Sequence, residues 1–197
     1  RWVRVVDYKT GTKKLDLKEV YCGLDCQMLL YLFSLTRDAS GRFTGAEPAG
    51  VLYLLADPAP ESTTRANAAR SVEYKLDGLV RDEEKIFRAM DAEETGRYLP
   101  FGYLRGAPSP YQKDKRADAA KLSRIRLHLD DLVTQMGEQL YGGQIAAEPL
   151  VTGRSPCRWC DYGFICCHES GIGERALDAP AKPFEAPEET EKKEEQP

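Results

Sequence analysis

The chain has 197 residues, 42% hydrophobic and 30% charged, with a formal net charge of −4. Those values suit one globular domain with a core; six cysteines are too few for a disulfide-dense scaffold, and no apolar run approaches the roughly 18 residues that span a bilayer. A globally cationic, polyanion-coating protein is excluded too, although the acidic residues from Glu185 onward bias the sum and leave room for a local basic patch.

Residues 1–9 alternate apolar and polar positions, with Trp2, Val3, Val5 and Val6 before Asp7, and predict a strand. Arg1-Trp2-Val3 therefore reads as the start of a strand and not as a signal peptide. A first residue that is not Met reads as a cut from a longer polypeptide. Thr10-Gly11-Thr12 turns the chain. Asp16 followed by Glu19 has capping-box spacing and predicts a helix over about 17–36, interrupted at Gly23. Its second half, Met28 to Phe33, is apolar on most sides and is expected to be buried. Ala49 to Leu55, before Pro58 and Pro60, predicts a second strand over 49–56. Residues 66–78 give no clear pattern.

Further on, Ile86, Phe87 and Met90 predict a helix over 82–92. Residues 96–118 read as an extended loop. Leu122, Ile125, Leu129, Leu132, Met136 and Leu140 recur at steps of three and four, which predicts an amphipathic helix over 119–141 ending at Gly142-Gly143. The last segment, 172–197, is rich in Pro, Glu and Lys and is expected to be disordered.

Two constellations carry chemistry. The first is Asp7-Tyr8-Lys9 at the end of the first strand. Residues i and i+2 of a strand face one side, so Asp7 and Lys9 share a site. A carboxylate is a hard ligand for Mg²⁺, and an adjacent amine can orient water and offset developing charge. An isolated Asp-x-Lys is more often two solvated charges. Gln27 and Tyr31, four apart on the following helix, sharpen the pattern. Gln27 lies in an apolar run, so it is expected to be buried and to need partners.

The second constellation is Cys157-Arg158-Trp159-Cys160, then Cys166, Cys167 and His168. Three thiolates at this spacing suit a soft metal, either zinc or an iron–sulfur centre. Adjacent residues seldom both turn toward one centre, which argues against Cys167. His168 is expected to be solvent-exposed, and His128 to be structural. Cys22 and Cys26, in an apolar helical stretch, are expected to be small core hydrophobes. This cysteine usage fits a reducing, cytoplasmic setting.

The string Val5-Val6-Asp7-Tyr8-Lys9-Thr10-Gly11, followed by Leu24-Asp25-Cys26-Gln27-Met28-Leu29-Leu30-Tyr31-Leu32, resembles the PD-(D/E)xK nuclease superfamily. The nearest form is the C-terminal nuclease domain of the AddB-type ATP-dependent helicase/deoxyribonucleases, related to the RecB-like nucleases. The resemblance covers residues 1–171. It implies an α/β fold of restriction-endonuclease type, a mixed sheet flanked by helices, incomplete at its N-terminus. It implies Mg²⁺ on Asp7, catalysis by Lys9, and Gln27 and Tyr31 at the same site. It further implies a [4Fe–4S] cluster on Cys157, Cys160 and Cys166, with a fourth ligand and a further acidic metal ligand upstream of Arg1. The implied role is DNA exonuclease, acting on single strands beside a helicase partner in double-strand-break repair. A stand-alone iron–sulfur exonuclease of the CRISPR-associated type shares this site logic. A zinc-stapled, non-catalytic DNA-binding module is the alternative outside enzymes.

Overall fold

A computed structural model describes residues 1–11, 13–37, 41–55, 76–93, 96, 99–104, 107–108, 114–153 and 155–186. Its centre is a four-stranded mixed sheet in the order β1-β2-β3-β6. β1 is Trp2–Lys9, β2 Glu47–Leu55, β3 Leu76–Arg81 and β6 Arg116–Ala117. β1 runs parallel to β2, β2 antiparallel to β3, and β3 parallel to β6. Among the described residues, β1 is paired along one edge only.

The expected helix over 17–36 is two helices, α1 (Leu17–Tyr21) and α2 (Gln27–Arg37). The break falls at the predicted glycine: Gly23 has φ 88°, and Asp25 follows at φ 55°. Left-handed backbone at both positions cannot continue a right-handed helix. Asp16 caps α1 by accepting the Lys18 amide at 2.8 Å. The second strand begins two residues earlier than expected, and the third helix, α3, is shorter, Glu84–Met90. Much of the unclear stretch 66–78 lies outside the described residues, but its end opens β3. The expected loop 96–118 contains the short strands β4 (Tyr103–Leu104), β5 (Ala107–Pro108) and β6.

The long helix, α4 (Ala119–Tyr141), matches its predicted bounds, capped by Asp118 accepting the Lys121 amide at 2.6 Å. Its first half buries Leu122, Ile125 and Leu129; its second half, with Val133 and Leu140, is exposed. After α4 come β7 (Leu150–Val151), a 3₁₀ turn (Pro156–Trp159), α5 (Gly163–Cys166) and β8 (Arg175–Ala176), which pairs with β7.

Alternation in the strands sorts two cores onto the two sheet faces. Val3, Val51, Tyr53 and Leu79 point to α1, α2 and α4, meeting Val20, Leu29, Leu32 and Ile125. Leu52 and Val80 point the other way, to Phe87 of α3, Leu99 and Phe101. The second core stops short of β1, whose Trp2, Val6 and Tyr8 are exposed.

The C-terminal segment departs from expectation. Residues 187–197 lie outside the described residues, but 172–186 are placed and packed. Phe184, only 8% exposed, joins the main core, its ring 5.7 Å from that of Tyr21 and 5.3 Å from that of His128. Composition alone pointed to disorder; one aromatic seated in a ready slot supplies the apolar contact that composition averages away.

Candidate active site

Asp7 and Lys9 leave β1 on the face that meets the helices, and Lys9 Nζ lies 2.6 Å from Asp7 Oδ2. Each side chain is about one third exposed, so the pair is neither walled off nor fully solvated. Asp7 Oδ2 itself is buried and accepts no hydrogen bond; the ammonium sits close but out of hydrogen-bond alignment. A buried carboxylate oxygen with spare acceptor capacity suits a cation.

Sheet register extends the site sideways. Asp7 pairs with Tyr53 of β2, and Tyr53 with Asp77 of β3, placing the three on one face in a row. Tyr53 is 3% exposed, and Lys9 Nζ stands 5.8 Å from its ring centroid, within cation–π range. Burial, then the charges of Asp25, Asp7 and Asp77, pushes the Tyr53 hydroxyl up to about 12. Asp77 is held by Lys115 at 2.8 Å and accepts the Leu15 amide at 2.8 Å.

The turn between α1 and α2 delivers a further carboxylate. Asp25 pairs with Lys13, and its Oδ2 is, like that of Asp7, buried without a hydrogen bond. Cys26 beside it is pushed up to about 11 by burial and by the Asp25 charge. Its thiol reaches the carbonyls of Leu24 and Val20, as expected of a small core residue. Cys22 is half-buried, its thiol donating to the Asp178 carbonyl at 3.5 Å.

Gln27 opens α2, and its Nε2 donates to the Tyr31 hydroxyl at 2.9 Å. The expectation of a buried Gln27 is corrected: both residues are exposed. Met28, Leu29, Leu32 and Phe33 take the inner face of α2, and positions 27 and 31 fall on the outer one. The pair is an open polar ledge, not a satisfied core hydrogen bond.

The cysteine segment forms a separate region of the surface. Cys157 sits in the 3₁₀ turn, Cys160 caps it, and Cys166 ends α5. All six cysteines are free thiols. Cys167 adopts φ 51° and donates to the Phe164 carbonyl at 3.9 Å, whereas Cys157, Cys160 and Cys166 make no thiol hydrogen bond among the described residues. The donor set is right for a soft metal, with three unengaged thiols. No three His, Cys, Asp or Glu among the described residues converge on one metal-binding point. His168 is corrected from exposed to largely buried: its side chain is 10% exposed, and Nε2 lies 3.8 Å from Glu174 without a hydrogen bond. His128 is structural as expected, stacked on Tyr21 at 4.5 Å with Nε2 2.8 Å from the Tyr21 carbonyl.

Sequence reasoning missed Tyr53, Asp77 and Asp25. The first two join the site only through strand pairing, which no local motif records. Asp25 stood within the resembling string and signalled itself by preceding a helix whose start required a break.

Comparison with known proteins bears on this arrangement. A relative from Symbiobacterium thermophilum is 33% identical over 190 residues, covering 90% of this chain and 16% of its own length. One from Bacillus subtilis (strain 168) is 30% identical over 187 residues, and one from Thermoanaerobacter sp. (strain X514) 29% over 179, each match covering 87% of this chain. All three are named as a subunit of an ATP-dependent helicase/deoxyribonuclease, and this chain spans only 16% of the length of each. Residues 1–167 match the PD-(D/E)XK nuclease superfamily, a span that holds the Asp7–Lys9 strand, the mixed sheet and its flanking helices. By that match, and by the fold that carries it, the chain belongs to the PD-(D/E)XK nuclease superfamily.

Proposed function

We propose that this chain is the nuclease domain of a larger helicase–nuclease and that it hydrolyses DNA phosphodiester bonds with the help of Mg²⁺ held in part by Asp7. One observation carries the reading: Asp7 and Lys9 meet on an accessible face, and the buried Oδ2 of Asp7 retains unused acceptor capacity. A divalent ion there supplies charge opposite the phosphate and acidity for an attacking water. Lys9 orients that water or offsets the charge that develops on the phosphate. Gln27 and Tyr31, exposed together on α2, hold the DNA backbone. A further acidic ligand comes from polypeptide outside these residues, as the resemblance implies.

The names of the relatives support the wider role: a cytoplasmic enzyme, working beside a helicase partner on single strands at broken DNA ends. Cys157, Cys160 and Cys166 hold a [4Fe–4S] cluster, with the fourth ligand outside this chain. One observation favours a second reading of that segment. The buried, unbonded Nε2 of His168 is a nitrogen available to zinc, giving a Cys₃His set.

The test is made in the natural polypeptide that contains these residues. Asp7→Ala and Lys9→Ala are each expected to slow Mg²⁺-dependent release of nucleotides from single-stranded DNA by about a hundredfold or more, with unchanged circular dichroism. Full cleavage by Asp7→Ala rejects the nuclease site and leaves the zinc-stapled binding module.

A further inference from the structure

Lys121 is 5% exposed, and its ammonium meets one carboxylate, Glu185 Oε1 at 2.6 Å. A buried ammonium without a counter-ion is costly, so the groove at the head of α4 requires an anion. One helical step on, Arg124 Nε donates to the Phe184 carbonyl at 2.7 Å. Both cations are thus served by neighbouring residues of one segment, which lies beyond the span 1–167 shared with the superfamily.

The hold on that segment is slight. Pro183 and Phe184 are its buried residues, while Ala181, Lys182, Glu185 and Ala186 are exposed. Phe184 sits at φ 67°, a conformation unfavourable to a bulky residue. Ordering such a segment costs entropy at every residue, against two small apolar anchors and two charge-assisted bonds.

The same segment forms one wall of a cavity of about 920 Å³. Other walls carry Lys14, Lys18, Lys115 and Arg116. Arg116 is matched by Asp82 at 3.3 Å and Lys115 by Asp77, whereas Lys14 and Lys18 have no ion pair among the described residues. Asp16 and Asp118, also in the lining, are committed to capping α1 and α4. Lys115 connects the cavity to Asp77, the far end of the row that begins at Asp7. From Glu185 on, the sequence holds Glu185, Glu188, Glu189, Glu191, Glu194 and Glu195 against Lys192 and Lys193.

We propose that Pro183–Glu185 form a displaceable acidic plug on a phosphate-binding groove, and that Lys121 and Arg124 take backbone phosphates of DNA when the plug leaves. The groove would then guide a strand along the cavity toward Asp7. This proposal rests on the reading of the chain as a DNA-acting domain.

The experiment uses the whole 197-residue chain and a fluorescein-labelled oligothymidylate, with anisotropy read across a salt series without divalent metal. Glu185→Gln is expected to bind about threefold tighter or more, with a salt slope steeper by about one phosphate contact. Glu138→Gln, the same charge change on the exposed end of α4, is expected to match the unchanged chain. Adding Lys121→Met to Glu185→Gln is expected to remove the gain. Thermal midpoints of all variants establish that each is folded. If Glu185→Gln and Glu138→Gln behave alike while the chain binds the oligonucleotide, the plug is rejected and the DNA reading stands. If no folded variant binds, both fall.

Discussion

Tyr53 gathers the electrostatics of the site into one hydroxyl. Its ring is buried, three carboxylates act on it, and its ionisation is pushed up to about 12 from an ordinary value near 10. A group that binds its proton more tightly when folded stabilises the fold below its unfolded value, and that contribution is lost as pH rises toward the folded one. Stability is therefore expected to fall between about pH 10 and pH 12, and Tyr53→Phe to make that fall shallower. Absorbance at the tyrosinate band checks the assignment: Tyr53→Phe should remove one late-titrating tyrosine of the ten present. If the late phase persists in that variant, the Asp7–Tyr53–Asp77 row does not hold the charge assigned to it.

At this scale the sequence was legible where chemistry is local. Asp7 and Lys9 are two residues apart on a strand, and period two alone brings them to one face. Gln27 was misplaced because an apolar run says that a helix is buried without saying which stripe is outermost. His168 was misplaced because exposure near a cysteine cluster was inferred from polarity, while the Glu174 turn folds back over it.

Between elements, the contact of β2 with β3 depends on glycine. Gly78 adopts φ 143°, and a Cβ there would stand 2.1 Å from the Val51 carbonyl oxygen. Gly50 has the reciprocal problem, with a Cβ 2.4 Å from the Leu79 carbonyl oxygen. The two strands approach closely enough that neither can carry a side chain at these points. Gly78→Ala is accordingly expected to destabilise the fold by roughly 3 kcal/mol or more, read by urea denaturation. An effect within about 0.5 kcal/mol would mean that the close approach relaxes freely. Because Asp77 adjoins Gly78, the same change is expected to disturb the pair with Lys115.

The helix α4 was readable from end to end because its apolar stripe is regular and its cap is local. β3 was not: six residues with a glycine and an aspartate inside have no strand signature of their own. They become a strand only between β2 and β6, through contacts far apart in sequence. The split of α1 from α2 was foreseeable from Gly23, yet the left-handed Asp25 that completes the turn was not.

For the whole molecule, the group on the cysteine segment decides how its surface is organised. Anaerobic purification of the natural polypeptide is expected to give about four iron and matching sulfide per chain, lost together in Cys160→Ser. Stoichiometric zinc without iron would instead transfer the segment to Cys157, Cys160, Cys166 and His168. Either group would tie together a region that now exposes Trp159, Tyr162, Phe164 and Ile165. Such a surface, together with the bare distal half of α4, fits a domain accustomed to neighbours. The α/β class and mixed sheet were legible from strand and helix patterns; the seat of the C-terminal segment was not, since it depends on a slot between Tyr21 and His128 that only the assembled fold creates.

The lone pairing of β1 has a practical corollary. Eight residues of backbone donors and acceptors stand open along the rim, bordered by Trp2, Val6 and Tyr8. A second copy offers the same rim, so two isolated chains in concentrated solution can zip together there and bury the strand that bears Asp7. Handling this segment apart from its native surroundings thus invites dimers or aggregates whose inactivity would say nothing about its chemistry.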